Sequence, residues 1–243
     1  MVSVKRLCAA ALLAGSLAGC ATSGGNPADP LEPLNRAVFG FNDVADKAVL
    51  TPVAKTYRAV IPGILRKGVS NFFSNVEDVW ISVNDVLQGK LQVGSEDFTR
   101  VIFNSTFGIA GIFDFASEVG LPKHNEDFGQ TLGVWGVTSG PYLVLPIFGP
   151  SSFRDGVGLL VDGRADLVYR AIDDVPLRNS VYALRGISNR ANLLDATSVL
   201  DKAALDRYAF VRDAWMQRRR NLVYDGNPPR EKEETDDDEP KKQ

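Results

Sequence analysis

FGQTLGVWGVTSGPYLVLPIFGPSSF, residues 128–153, lies between Asp127 and Arg154 and holds no charged residue. Its length would permit a membrane-spanning helix. Its content excludes a regular one. Gly129, Gly133, Gly136, Gly140 and Gly149 interrupt it, as do Pro141, Pro146 and Pro150. Each proline removes a donor and breaks the helical ladder. Irregular backbone at membrane depth persists only where protein or a wet cavity satisfies its polar groups. The stretch is therefore either a glycine-rich loop packed in a soluble core or a re-entrant hairpin beside a polar channel. Upstream, residues 101–113 (VIFNSTFGIAGIF) are also uncharged and too short to span. Two such segments fit a body partly immersed in one leaflet as well as they fit a buried core.

Around this centre the chain reads as mainly helical. Val38, Phe41, Ala45 and Ala48 share one face of a segment starting near Asn35. Ile64, Leu65, Val69, Phe72, Phe73 and Val76 form a second stripe. Ser95 is expected to cap a helix with Glu96 and Asp97 in its first turn. Leu193, Thr197, Leu200, Ala204, Tyr208, Val211 and Trp215 step by three or four residues as one long helix. Arg218, Arg219 and Arg220 suit its C-terminal dipole and read as a solvated end or a lipid-headgroup contact.

The N-terminus sets the compartment. Lys5 and Arg6 precede an apolar run over residues 7–17, and Leu17-Ala18-Gly19-Cys20 closes it. That is a secretory signal, and the cysteine turns it into a bacterial lipoprotein signal. Cys20 would be acylated on its sulfur and, after cleavage, on its new amino group. Several acyl chains hold where one is marginal. Ala21 replaces the aspartate of an inner-membrane retention signal, which favours the outer membrane. Residues 1–19 are thus a signal peptide and 20–33 a lipidated tether. A folded domain spans 34–224, and 225–243, acidic and without an apolar residue, are a disordered tail.

Composition excludes several classes. The net charge of −3 falls to about −5 once Lys5 and Arg6 leave, which argues against a nucleic-acid partner. Cys8 leaves with the signal and Cys20 carries lipid, so no thiolate metal site or disulfide remains. His124 is the one histidine, in the polar run Pro-Lys-His-Asn-Glu-Asp, and reads as solvent-exposed. No GxSxG elbow, P-loop or GxGxxG is present. The pairs Glu77-Asp78 and Asp173-Asp174 read as helix surface. No enzyme and no cofactor is expected.

Together these residues resemble a family. Asp29-Pro30-Leu31-Glu32-Pro33-Leu34-Asn35-Arg36 with Phe39 and Phe41-Asn42, then Ser70-Asn71-Phe72, Leu87-Gln88-Gly89, Arg100 to Asn104, Phe128-Gly129-Gln130-Thr131-Leu132-Gly133, Gly140-Pro141-Tyr142, Leu145-Pro146 and Arg154-Asp155 are similar to the VacJ/MlaA outer-membrane lipoproteins. The resemblance covers residues 29 to 224. It implies a ring-shaped, mainly α domain lying in the inner, periplasmic leaflet of the outer membrane, with a Gly/Pro-rich hairpin beside a central channel. It implies removal of mislocalised phospholipid from the outer leaflet through that polar channel, with handover to a soluble periplasmic carrier. It further implies a trimeric outer-membrane porin as partner.

Carried over by position, Gly133, Gly136, Gly140, Pro141 and Gly149 fall in the channel-side hairpin, and Phe41 and Asn42 in an early helix packed near it. For any one of them, a turn or packing role stands ahead of direct lipid contact. Asn104, Ser105 and Thr106 either face the channel or cap backbone groups. Two rival functions need different structures: a purely structural porin-associated lipoprotein needs no channel, and a lipid hydrolase needs His124 beside a nucleophile.

Overall fold

Proline and aspartate place the boundaries of a helical chain. The computed structural model describes Asn26 and residues 29–229, so Cys20 and the acidic run at 236–239 lie outside the described residues. Helix α1 (Glu32–Ala45) continues through a π-helical turn (Asp46–Leu50) into α2 (Thr51–Val60). Pro52 explains the widened turn, because its ring crowds the carbonyl one turn back and it has no N–H; Thr51 N–H reaches the Asp46 carbonyl instead. Ile61, held extended before Pro62, makes an elbow. Then come α3 (Gly63–Leu87) and α4 (Leu91–Thr106), joined by a tight turn at Gly89.

Side-chain caps start the remaining helices. Asp114 caps α5 (Phe115–Glu118) and Asp127 caps α6 (Phe128–Val134). Ser152 caps α7 (Phe153–Ala165) and Asp166 caps α8 (Leu167–Ala171). Asp174 caps α9 (Val175–Ala203), with a proline in its first turn, and Asp206 caps α10 (Arg207–Val223). Each accepts a backbone N–H that the helix leaves free. Between α6 and α7 lies a two-stranded antiparallel sheet, β1 (Tyr142–Leu145) and β2 (Gly149–Ser152), with Tyr142 opposite Ser152 and Leu145 opposite Gly149.

The interior is the reverse of the usual one. Asn75, Asp78, Ser82, Asn84 and Asp85 of α3 are buried against Asp97, Arg100 and Asn104 of α4. Apolar burial is confined to small clusters. Ala54, Ala191 and Leu194 pack between α2 and α9 with Tyr57, and Tyr142, Val144 and Tyr208 pack with Val38, Phe39, Trp215 and Met216. Large apolar side chains instead cover the outside, among them Phe41, Ile64, Leu65, Phe98, Ile102, Phe148 and Phe153. Among the described residues no helix is long and apolar enough to cross a membrane.

The second stripe runs from exposed Ile64 and Leu65 to buried Phe73, with Val69 and Val76 half-buried. Three sequence expectations change here. Ser95 lies inside α4 rather than at its cap, its hydroxyl donating to the Gln92 carbonyl. The last helix breaks between Ala203 and Arg207, where the Asp206 carboxylate accepts from Ala209 N–H and restarts it. Ordered structure also begins before residue 34, since Asp29 is buried.

Candidate functional site

Two asparagines on α1 hold the hairpin. Asn35 and Asn42 are seven residues apart, so they project from one face roughly 10 Å apart, nearly the length of a four-residue strand. Asn35 Nδ2 donates to the Tyr142 carbonyl at 3.0 Å, and its Oδ1 accepts from Val144 N–H at 2.9 Å. Asn42 Nδ2 donates to the Leu145 carbonyl at 2.9 Å, and its Oδ1 accepts from Ile147 N–H at 2.7 Å. Each amide thus satisfies a donor and an acceptor that a lone hairpin edge would leave open. Asp29 locks the base: it accepts from Asn35 Nδ2 at 2.8 Å and from the Tyr208 hydroxyl, with Arg212 alongside.

The hairpin tip is strained and apolar. Ile147, β-branched, holds φ 70°, a region that normally costs about 1–3 kcal/mol, and its N–H is the one that Asn42 grips. Its side chain and that of Phe148 are exposed. Gly136 ends α6 at φ 91°, the left-handed position after a helix. Gly140 holds φ 68° directly before Pro141, with Phe153 Cβ 3.0 Å from where its own Cβ would stand. Gly133 serves close approach instead, since a Cβ there would meet Arg154 Nη1 at 2.7 Å and Val223 at 2.9 Å. Gly149 opens β2 in free space, and Pro141 and Phe41 are exposed. So the structure brings Asn42 and the hairpin backbone together, while Phe41 points elsewhere on the surface.

A polar seam lies between α3 and α4 and the loop that follows them. Arg100 meets Asp78 at 3.4 Å and Asp114 at 3.1 Å, and donates to the Leu121 carbonyl at 2.6 Å. Lys123 closes on the other oxygen of Asp78. Asn104 bonds Asp114 and caps Ala116 N–H, so of the two roles left open for it, capping holds. His124 Nδ1 lies 3.0 Å from Asp97 Oδ2. Asp85 sits beside Asp97 with both its oxygens unpartnered among the described residues. Burial, and then Asp97, push its carboxyl up to about 8. Burial also raises Glu126, against the amide of Gln88 at 2.8 Å and Lys90 at 3.2 Å. Beside the hairpin, Arg219 bridges Asp127 and Asp155 at 2.5 and 2.8 Å. Burial alone would raise Asp127, and Arg219 holds it below the usual carboxylate range.

These contacts overturn three more expectations. His124 is paired with a buried carboxylate, Asp78 is fully buried, and Arg219 is an internal bridge rather than a solvated end. Sequence reading missed the seam, although its signal was present: residues 75, 78, 82 and 85, and 97, 100 and 104, fall at helical spacing on polar side chains. Among the described residues no group of His, Cys, Asp and Glu is placed to hold a metal.

A profile of the MlaA lipoprotein family matches residues 27–222. The intermembrane phospholipid transport system lipoprotein MlaA of Escherichia coli (strain K12) is 37% identical over 222 residues, covering 88% of this chain and 86% of its own. The protein of the same description from Haemophilus influenzae (strain ATCC 51907 / DSM 11121 / KW20 / Rd) is 30% identical over 246 residues, 98% of each chain. A solved structure, from work on the structural basis for maintenance of bacterial outer membrane lipid asymmetry, covers 82% of this chain and 99% of its own. It has TM-score 0.69 and 35% identity. With its helical architecture matched in a solved relative and its sequence matched from residue 27 to 222, the chain belongs to the MlaA lipoprotein family.

Proposed function

We propose that this chain is an outer-membrane lipoprotein that takes mislocalised phospholipid out of the outer leaflet and passes it to a soluble periplasmic carrier. The observation that carries this is the inverted body: polar side chains buried, large apolar side chains outside, and no described helix able to span. An apolar exterior suits one leaflet of a membrane, and a polar interior offers a charged headgroup a route that avoids the large penalty of entering hydrocarbon. The signal at residues 1–19 and acylation at Cys20 would tether residues 34–224 as a ring around a polar channel, with 225–243 as a solvated tail. The hairpin between Gly133 and Gly149, gripped by Asn42, would stand beside that channel as its gate, and a trimeric porin would hold the assembly in place. No catalytic step is needed.

The test is complementation of a strain lacking its own MlaA. The wild-type chain should lower surface-exposed phospholipid and restore detergent resistance, and Cys20→Ser should fail while the protein accumulates unanchored. Restoration by a soluble form lacking Cys20 would overturn the reading.

A further inference from the structure

An open groove of about 450 Å³ lies between α2, the elbow and α9, walled by Pro52, Val53, Tyr57, Val60, Ile61 and Ile187. That is the size of ordinary small-molecule sites, ~300–1,000 Å³. Three features around it concern a polar group. First, residues 47–76 contain Lys47, Lys55, Arg58, Arg66 and Lys67 and no acidic residue, within an acidic protein. Lys47 pairs with Asp43 and Arg58 with Asp195, but the Arg66 guanidinium makes no hydrogen bond or ion pair among the described residues, and its Nε is buried without a partner. Second, Arg66 folds back on the elbow, its Nη2 3.7 Å from where a Cβ on Gly63 would stand. Third, the Tyr57 hydroxyl is likewise buried and unpartnered. In addition, α3 starts behind Pro62, which offers no side-chain acceptor to its first amides, and a helix start favours an anion.

We propose that this groove seats one acyl chain of a glycerophospholipid, with the lipid phosphate on Arg66 at the start of α3. An apolar slot whose wall at Ile61 stands two residues from Gly63, against which an unpaired cation folds, matches a molecule with an apolar tail and an adjacent anionic head. The wall being open sideways lets such a molecule enter from the surrounding membrane. The proposal rests on phospholipid being what the protein handles, and adds a holding position outside the polar seam.

The test uses the full mature lipoprotein in dodecyl maltoside, photolabelled with a phosphatidylglycerol carrying a diazirine in one acyl chain and mapped by peptide mass spectrometry. Adducts should concentrate on residues 52–61 and around Ile187. Arg66→Glu should cut that labelling roughly tenfold, as loss of one charge-assisted bond implies, at an unchanged melting temperature, because the guanidinium has no partner to lose. Arg66→Lys should keep part of it. Unlabelled phosphatidylglycerol should compete, and palmitate or inorganic phosphate alone should not. Adducts spread in proportion to exposure, indifference to Arg66→Glu, equal competition by palmitate or inorganic phosphate, or cross-linking of Val60 to a porin in whole envelopes would each overturn the proposal. If the wild-type chain restores lipid asymmetry but the groove stays unlabelled, only this position falls. If the groove labels but asymmetry is not restored, the transport reading falls instead.

Discussion

Where α3 meets α4 the buried surface is made of charges; where α1 meets the hairpin it is made of tyrosine, valine and two asparagine amides. The first region fixes shape. Asp78 and Arg100 are out of water, with the partly exposed Lys123 closing on Asp78, and a buried charge left unpaired costs far more than a missing contact. Above the Asp29–Arg212 pair at its base, the second region holds hairpin backbone with neutral amide hydrogen bonds, each contributing about 1 kcal/mol. One is a frame that cannot give; the other is a latch that can. The contrast sets a rigid polar interior against a segment held by weaker bonds.

The comparison breaks most directly at Arg100. Arg100→Leu leaves the buried Asp78 with Lys123 as its one cation, takes the guanidinium from Asp114 and frees the Leu121 carbonyl. The expected loss is about 3–5 kcal/mol, read as a large fall in melting temperature and in folded protein in the envelope. A loss below 1 kcal/mol would mean that the seam is wet and the frame is not electrostatic.

The latch comes next, and grading its two asparagines sharpens the contrast. Asn35→Ala leaves the Tyr142 carbonyl, Val144 N–H and Asp29 short of a partner in a buried place, for about 2–3 kcal/mol. Asn42→Ala acts at the exposed tip and should lose about 1 kcal/mol or less. Yet Asn42 holds the strained Ile147, so its loss should alter surface-exposed phospholipid more than it alters abundance. If the two readouts fall in proportion for both variants, the latch is ordinary scaffold.

How legible these regions were in the sequence depends on what each signal encodes. Helical period was legible, because Phe72, Phe73 and Val76 recur at turn spacing wherever they point. Their direction was not, since periodicity gives the angle of an apolar face and not the medium it meets. In a body with an apolar exterior the two faces exchange roles, so Ile64 and Leu65 turned out and Asp78 turned in. The irregular backbone of residues 128–153 was legible from glycine and proline, but its two strands were too short and glycine-bounded to stand out. The break before Arg207 has no glycine or proline to mark it. Only Asp206 signals the restart, and the step from Ala204 to Tyr208 keeps the period across the gap. Asn35 and Asn42 were visible as residues, but bonds across more than a hundred positions leave no local trace.

Acidity probes the frame more gently. In the folded chain burial and Asp97 push Asp85 up to about 8, against an unfolded value near ~4. Between those values the folded state binds the extra proton, so stability should fall as pH rises from about 4 to about 8 and level off above it. Asp85→Asn should flatten that slope and gain about 1–2 kcal/mol at pH 8.5, with little change near pH 4. The groups facing it are Asp97 with His124 from one side and Glu126 with Lys90 from the other. A matched set of melts at four pH values, with Asp97→Asn as the second variant, separates the pair from its neighbours. An unchanged slope in both variants would show that Asp85 does not carry the extra proton in the folded chain.

The smallest expected effect lies on the faces that neither region buries. Phe148 at the hairpin tip is 71% exposed and Phe41 on α1 is 58% exposed, so neither has much packing to lose. Phe41→Ser and Phe148→Ser should each change stability in detergent by less than about 0.5 kcal/mol, as surface substitutions do. In a membrane the same changes remove about 25 cal/mol of favourable transfer per Å² of apolar area. The variants should therefore look alike in detergent melts and differ from wild type when reconstituted, floating less well with vesicles in a Cys20→Ser background, where the proposed acyl anchor could not form. Phe41 shares its helix with the latch, and Phe148 sits on the segment the latch holds. If only Phe148→Ser alters lipid asymmetry, the tip acts by moving; if both act equally, they are simply two parts of one lipid-facing surface. A detergent-state loss above 1 kcal/mol for either would mean that the residue packs against something in solution and that its exposed face is not lipid-facing.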